Sequence, residues 1–164
     1  MPAQGKSILF VCKGNICRSN FAEKRAVKFS GHVIQYRCSS AGIQVDDPKP
    51  PPEEAIIAAE SMGINIAPHR SRGLDYSMIE SHDMIVAMEA WQWKYLRKIC
   101  QENQEKIFLL PLFDNHSGTS WENYNIRDPY GKDIEEFKQC YGRIERCLSG
   151  LFLALGNHAD SGNR

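Results

Sequence analysis

The feature that most constrains the fold is a short apolar run near the N-terminus that leads directly into a glycine-containing loop and a helical pattern. Residues 7–11 read Ser-Ile-Leu-Phe-Val, which is typical of a strand buried on both faces of a parallel sheet. After Gly14, apolar residues recur at helical spacing through residues 19–29, and Ser30-Gly31 is expected to end that helix. A strand, a glycine loop and a helix in this order favour an α/β fold.

The same alternation continues along the chain. Further strands are predicted at residues 33–38, 84–87 and 107–110, and further helices at residues 53–62, 91–100 and 134–155. This alternation predicts a three-layer α/β fold, an open sheet of about four parallel strands with helices on both faces. No repeat or linker divides the sequence, so we expect a single domain at residues 1–156 and a disordered tail at residues 157–164.

Charge and cysteine content limit the classes of partner. Twenty Lys and Arg balance twenty Asp and Glu, which gives no global attraction to nucleic acid or to an anionic membrane. No stretch approaches the roughly 20 apolar residues of a membrane span, and the N-terminus lacks a signal-peptide pattern. We therefore expect a cytoplasmic protein whose six cysteines are mostly reduced thiols that pack in or near the core, as the surroundings of Cys38, Cys100, Cys140 and Cys147 suggest.

The two remaining cysteines lie in the loop after the first strand, whose composition suits an anion. Residues 12–19 read Cys-Lys-Gly-Asn-Ile-Cys-Arg-Ser, at the place where parallel sheets present helix N-termini to ligands. Gly14 permits a tightly curved nest of backbone N–H groups, and Arg18 offers a planar fork for two phosphate oxygens. The same positive field favours a reactive thiolate at Cys12, which Ser19 is placed to stabilise.

Two motifs in this sequence resemble those of the low-molecular-weight protein tyrosine phosphatases. Residues 11–19, Val-Cys-Lys-Gly-Asn-Ile-Cys-Arg-Ser, match that family's loop V-C-x-G-N-x-C-R-S, and Asp128-Pro129-Tyr130 is similar to the segment that carries its general acid. Taken alone, Asp-Pro-Tyr-Gly is more typical of a turn. With further similarity at residues 39–42 and 69–72, the resemblance extends from about residue 7 to residue 153.

The resemblance implies a phosphatase that needs no metal or cofactor. Cys12 would attack phosphorus while Asp128 protonates the departing oxygen, and water would then hydrolyse the phosphocysteine with Asp128 as base. Arg18 would bind the phosphoryl group. The other residues expected to bind phosphate or substrate are Lys13, Gly14, Asn15, Ile16, Cys17, Ser19 and Tyr130.

The resemblance also implies supporting roles. Asn15, Ser19 and Ser40 would hold the loop in shape, Tyr130 would form a wall for an aromatic substrate, and Cys17 would form a reversible disulfide with the nucleophile. The expected partner is a tyrosine-phosphorylated protein or peptide, and the expected oligomeric state is a monomer or a weak dimer.

Several residues depart from the family pattern. Asn20 stands where proline is usual, Lys13 adds a charge to the loop, and residues 43–49 lack an aromatic residue for the opposite wall of the cleft. These differences leave substrate preference open.

Other functions remain possible from the sequence. A protein-arginine phosphatase would typically carry threonine in place of Ile16, and an arsenate reductase of this fold would carry cysteines within residues 82–91, where this sequence has none. A non-catalytic phosphate-binding or redox-sensing module would also keep the loop. A zinc site at Cys12 and Cys17 is a poorer fit, because Arg18 would repel the cation.

Overall fold

The computed structural model describes residues 5–29, 36–115 and 120–160, and for residues 157–160 it describes the backbone alone. Its centre is one four-stranded parallel sheet in the order β2-β1-β3-β4. The strands are β1 (Ser7–Cys12), β2 (Arg37–Gly42), β3 (Met84–Ala87) and β4 (Ile107–Leu109). The predicted fold class is therefore confirmed.

Five α-helices surround the sheet within the described residues. They are α1 (Arg18–Phe29), α2 (Glu53–Glu60), α3 (Tyr76–Ser81), α4 (Ala90–Ile99) and α5 (Ile134–Asp160). Two short 3₁₀ helices lie at Gln104–Lys106 and Leu110–Phe113. No described helix is both long enough and apolar enough to span a bilayer.

The alternation of side chains along β1 divides the core into two layers. Ile8 and Phe10 belong to the cluster beneath α1, α2 and α5, whereas Leu9 and Val11 belong to the cluster beneath α3 and α4. All four side chains are fully buried, as the continuous apolar run predicts for a central strand.

Two sequence predictions about element bounds are wrong. The second strand is Arg37–Gly42 rather than residues 33–38, of which residues 33–35 lie outside the described part. The strand reads Arg-Cys-Ser-Ser-Ala-Gly, and its buried Ser40 is hydrogen-bonded to Asn15 and Glu23, so hydrophobic patterning does not detect it. The last helix extends to Asp160 rather than ending at residue 155. Residues 157–160 of the tail predicted at 157–164 are therefore helical, and residues 161–164 lie outside the described part.

The strand order places a crevice at the carboxyl ends of β1 and β3. The helix after β1 covers one face of the sheet and the helix after β3 covers the other, which is the topological switch point where open α/β sheets bind ligands. The loops that follow these two strands therefore meet at one edge of the sheet.

Candidate active site

The loop between β1 and α1 is curved around the sulfur of Cys12. Asn15 adopts a left-handed backbone conformation with φ of 56°, which Asn tolerates better than most residues. Its backbone N–H points back to Cys12 Sγ at 3.2 Å, and Ser19 Oγ lies 3.0 Å from the same sulfur. The sulfur thus accepts from one backbone N–H and lies within hydrogen-bond distance of one hydroxyl.

The side chain of Asn15 holds the loop to its surroundings. Its Nδ2 donates to Ser19 Oγ at 2.8 Å and to Ser40 Oγ at 2.9 Å, while its Oδ1 accepts from the backbone N–H of Arg72 at 3.0 Å. The ring of His69 also contacts the Asn15 carbonyl oxygen at 2.8 Å. The structure therefore brings together the three residues that were predicted to support the loop.

The segment after β2 is joined to the same loop through its backbone. The Ile43 N–H donates to the Cys12 carbonyl oxygen at 3.0 Å, and the Gln44 N–H donates to that of Lys13 at 2.8 Å. A Cβ at Gly42 would lie 2.9 Å from the Lys13 carbonyl oxygen and 2.6 Å from Val45 Cγ2. Glycine is required here because the two chain segments approach so closely.

Arg18, the first residue of α1, is buried with carboxylates on two sides. Only 1% of its side chain is exposed, and its NH1 lies 2.8 Å from Glu89 Oε2 and 2.8 Å from the Ile126 carbonyl oxygen. Its NH2 lies 3.2 Å from Asp128 Oδ2. Burial alone would lower the pKa of Arg18, but the negative charges of Cys12, Asp128 and Glu89 outweigh it and raise the pKa, so the guanidinium stays charged.

One atom of the guanidinium group is left without a protein partner. The buried Nε of Arg18 makes no hydrogen bond within the described residues. A buried polar donor without a partner is costly, and this one belongs to the last residue of the loop at residues 12–18.

Glu89 is one residue of the site that the sequence did not reveal. It precedes α4 and forms a capping box with Gln92, and its Oε2 also accepts hydrogen bonds from the side chains of Trp91 at 3.1 Å and Gln92 at 2.9 Å. One carboxylate thus caps a helix and fixes Arg18. A Glu followed three residues later by Gln, just after an apolar strand, was the available signal for the cap, but not for the contact with arginine.

Asp128 and Tyr130 form the outer side of the site. The side chain of Asp128 is 39% exposed, and its Oδ1 accepts from the Tyr130 N–H at 3.1 Å. Gly131 follows with φ of 76°, which permits the turn closed by the Lys132 N–H and the Pro129 carbonyl oxygen ahead of α5. Tyr130 itself is 62% exposed.

A cleft of about 360 Å³ joins these elements. Its floor is the loop at residues 12–18, and one side carries Asp128 and Tyr130. The other side is lined by Gln44, Val45, Asp46, Asp47, Lys49 and Ser71. This opposite wall contains no aromatic side chain and carries charged groups of both signs.

Cys17 is a buried residue of the loop that forms the floor of the cleft. It is 3% exposed, and burial, aided by the charges of Asp128 and Cys12, raises its pKa, so it is a neutral thiol. The hydroxyl of Tyr141 donates to its carbonyl oxygen at 3.2 Å. Asn20, where proline is usual, ties the helix to the loop by donating to the Ile16 carbonyl oxygen.

The other four cysteines pack in or against the core, as predicted. Cys100, Cys140 and Cys147 are buried, Cys38 is half-buried, and all are free thiols. Burial raises the pKa of Cys38, Cys140 and Cys147 to about 12. Across the described ranges, no three His, Cys, Asp or Glu side chains cluster in a way that could hold a metal ion.

Comparison with known proteins identifies a family that matches this geometry. The family model for low molecular weight phosphotyrosine protein phosphatase matches residues 7–161. The low molecular weight protein-tyrosine-phosphatase Etp of Escherichia coli K12 is 33% identical over 140 residues, which cover 85% of this chain and 88% of that protein. Arsenate reductase 1 of Staphylococcus haemolyticus is 30% identical over 143 residues, which cover 82% and 96%.

Solved structures share the fold over nearly the whole chain. A low molecular weight phosphotyrosine phosphatase from Vibrio cholerae O395 has a TM-score of 0.84 at 25% identity, covering 94% of this chain and 99% of that one. The YwlE arginine phosphatase from Geobacillus stearothermophilus has a TM-score of 0.82 at 25% identity, covering 97% and 98%. The tyrosine phosphatase Wzb from E. coli K30, in complex with sulphate, has a TM-score of 0.80 at 25% identity, covering 93% and 99%.

Proposed function

The chain belongs to the low molecular weight phosphotyrosine protein phosphatase family, and we propose that it hydrolyses tyrosine-phosphorylated proteins through a phosphocysteine formed on Cys12. The observation that carries this proposal is the convergence of Cys12, Arg18 and Asp128 on one cleft. Cys12 and Arg18 lie at the two ends of one loop and Asp128 on a distant segment; a nucleophile, a cation and a carboxylic acid are the groups that phosphoryl transfer requires.

The first step is attack of the Cys12 sulfur on phosphorus. The lone pair of the thiolate forms the S–P bond while the P–O bond to the leaving group breaks. Two donors near Sγ, the Asn15 N–H and the Ser19 hydroxyl, stabilise the anionic sulfur. The loop N–H groups and Arg18 bind the phosphoryl oxygens, and the unpartnered Nε of Arg18 supplies one donor for them.

Asp128 transfers the protons in both steps. Its position at the mouth of the cleft suits protonation of the departing phenolic oxygen, which becomes neutral tyrosine. The resulting carboxylate then removes a proton from water as the water oxygen attacks phosphorus, and Cys12 leaves as the thiolate. Binding of the phosphoryl group requires that the guanidinium exchange its contact with Asp128 for one with phosphate, which frees the acid.

The shape of the cleft supports phosphotyrosine as the substrate. Cys12 is 2% exposed whereas Tyr130 at the rim is 62% exposed, so a phosphate must be carried inward on a long side chain. Tyr130 offers a ring against which the substrate's phenyl group can stack. The partner is therefore a protein or peptide with an accessible phosphotyrosine.

A second candidate, phosphoarginine, is favoured by one observation. The carboxylates of Asp46 and Asp47 line the wall opposite Tyr130, where they can attract a guanidinium. Against it, Ile16 offers no hydroxyl for a guanidinium nitrogen. Arsenate reduction is less well supported, because residues 82–91 contain no cysteine.

The decisive experiment measures phosphate release from matched phosphotyrosine, phosphoarginine and phosphoserine peptides in the presence of EDTA. We expect turnover of phosphotyrosine, none with Cys12→Ser, and a loss of roughly 10²–10⁴-fold with Asp128→Asn. Preference for phosphoarginine would select the second candidate. Normal turnover by Cys12→Ser would overturn the mechanism, and no turnover on any peptide would favour a non-catalytic binding module.

Three further properties are proposed from the sequence and await measurement. We expect a cytoplasmic protein, a monomer or weak dimer on size-exclusion chromatography, and a reversible disulfide between Cys12 and Cys17 after mild oxidation. Mass spectrometry of the oxidised protein, before and after reduction, tests the disulfide. Persistence of two free thiols at these positions under oxidant would exclude it.

A further inference from the structure

Helix α1 places a carboxylate behind the loop, on the side away from the cleft. Glu23 Oε2 lies 2.6 Å from Ser40 Oγ, and the side chain of Glu23 is 19% exposed. Ser40 itself is 1% exposed. A short hydrogen bond from a buried hydroxyl to a carboxylate is among the stronger ones in proteins.

The hydrogen bond to Glu23 determines which way the hydroxyl hydrogen of Ser40 points. An ionised carboxylate only accepts, so the single hydroxyl hydrogen of Ser40 points to Glu23. The oxygen of Ser40 then has only lone pairs to offer, and it accepts from Asn15 Nδ2 at 2.9 Å. The opposite orientation of the Asn15 amide would place Nδ2 against the backbone N–H of Arg72, which donates to Oδ1.

The same order of donors and acceptors continues through Ser19 to the nucleophile, Cys12. The second hydrogen of Asn15 Nδ2 goes to Ser19 Oγ at 2.8 Å, so Ser19 accepts there. Its own hydrogen is left for Cys12 Sγ at 3.0 Å. A thiolate needs donors, and this order of donors and acceptors supplies one.

We propose that Glu23 is a positioning residue for the reaction, which acts on the nucleophile through Ser40, Asn15 and Ser19. This inference rests on the proposed role of Cys12. The carboxylate makes Ser40 an acceptor for Asn15, and the oriented amide makes Ser19 a donor to the thiolate. Glu23 is not among the residues that line the cleft.

The ion pair between Glu23 and Lys24 does not account for the position of Glu23. Lys24 Nζ lies 3.9 Å from Glu23 Oε1, and the lysine side chain is 46% exposed. An exposed pair at this distance contributes little, whereas the bond to Ser40 is short and buried. Lys24→Ala therefore serves as the matched control, because it removes the ion pair and leaves the bond to Ser40.

The experiment compares Glu23→Ala, Glu23→Gln and Lys24→Ala with the wild type. Two quantities are measured at one pH: kcat on a small aryl phosphate, and the rate at which iodoacetate alkylates Cys12, followed by mass spectrometry of its peptide. We expect Glu23→Ala to lower both by about three- to tenfold with little change in KM. Glu23→Gln keeps an acceptor for Ser40 and should stay close to the wild type, as should Lys24→Ala.

A double-mutant cycle separates this effect from a general loss of structure. In a Ser40→Ala background, Glu23→Ala should cause no further change in either quantity. Equal effects of Glu23→Ala in both backgrounds would overturn the proposal, and so would a Glu23→Gln variant as impaired as Glu23→Ala. The alkylation rate still decides if no substrate of the wild type is found, so failure of the proposed function is distinguished from failure of this inference.

Discussion

Replacing Glu89 with serine tests whether one carboxylate stabilises the buried arginine as well as the helix. Serine is a good N-cap residue, so it can keep capping α4, but it is too short to reach Arg18. The variant therefore removes the contact between Glu89 Oε2 and Arg18 NH1, which is 2.8 Å long with the arginine 1% exposed. Glu89→Ala removes the cap as well.

The expected cost follows from the burial of the arginine. Removing one partner of a buried ion pair costs about 3–5 kcal/mol. The lower end applies, since Glu89 is 15% exposed and Asp128 remains 3.2 Å from NH2. We expect Glu89→Ser to lose about 3 kcal/mol of unfolding free energy, and Glu89→Ala about 1 kcal/mol more because the cap is lost. At roughly 2–4 °C per kcal/mol for a chain of this size, Tm of the serine variant falls by about 6–12 °C.

Urea denaturation and thermal melting measure these differences, with Glu60→Ser, at the exposed end of α2, as the control. Inorganic phosphate adds a second measurement. An anion in the loop gives Arg18 a new partner, so saturating phosphate should raise Tm more in Glu89→Ser than in the wild type. An unfolding free energy of Glu89→Ser within about 1 kcal/mol of the wild type would refute the assigned role.

Three other predictions follow from the site. Gly42→Ala should lower kcat/KM by about tenfold or more, because a Cβ there would lie 2.9 Å from the loop backbone. Gly150→Ala is the control: its added Cβ would meet the backbone of Phe113, so it should lower Tm but not kcat of the folded enzyme. Burial lowers the pKa of His69. The contribution of neutral His69 to the free energy of unfolding is therefore present above about pH 6.5 and is lost as the pH falls below it. Urea denaturation at a series of pH values should show a smaller loss in His69→Gln. Tyr130→Ala should reduce kcat/KM for aryl phosphates roughly three- to tenfold while Tyr130→Phe stays near the wild type; equal losses in both would exclude ring stacking.

The sequence predicted the apolar elements closely. The third strand has the predicted bounds at Met84–Ala87, and the first is one residue longer than the apolar run. Strands buried by apolar packing are visible as patterns in the chain. The second strand was misplaced because Ser40 is held by bonds to Asn15 and Glu23, which no hydrophobic pattern records.

The residues that the motifs predict to contact the substrate line one cleft, except Ser19. The motifs do not predict the residues behind the cleft. Glu89 contacts Arg18, Arg72 contacts Asn15, and Glu23 contacts Ser40, each across a large separation in sequence. Their local sequence signals are those of ordinary helix and loop residues. Such contacts depend on how elements meet in three dimensions, which neither periodicity nor a short motif specifies.

The distribution of the site along the chain has a consequence for protein synthesis. The loop is made first, yet its arginine is bonded to the carbonyl of Ile126, 108 residues later, and the carbonyl of Cys17 is bonded to Tyr141, 124 residues later. A ribosome-bound or truncated chain that lacks these residues would carry the reactive cysteine without the groups that position the arginine beside it. Contacts between residues so far apart in the sequence are also slow to form during folding. Phosphatase activity should therefore appear only when the chain is nearly complete.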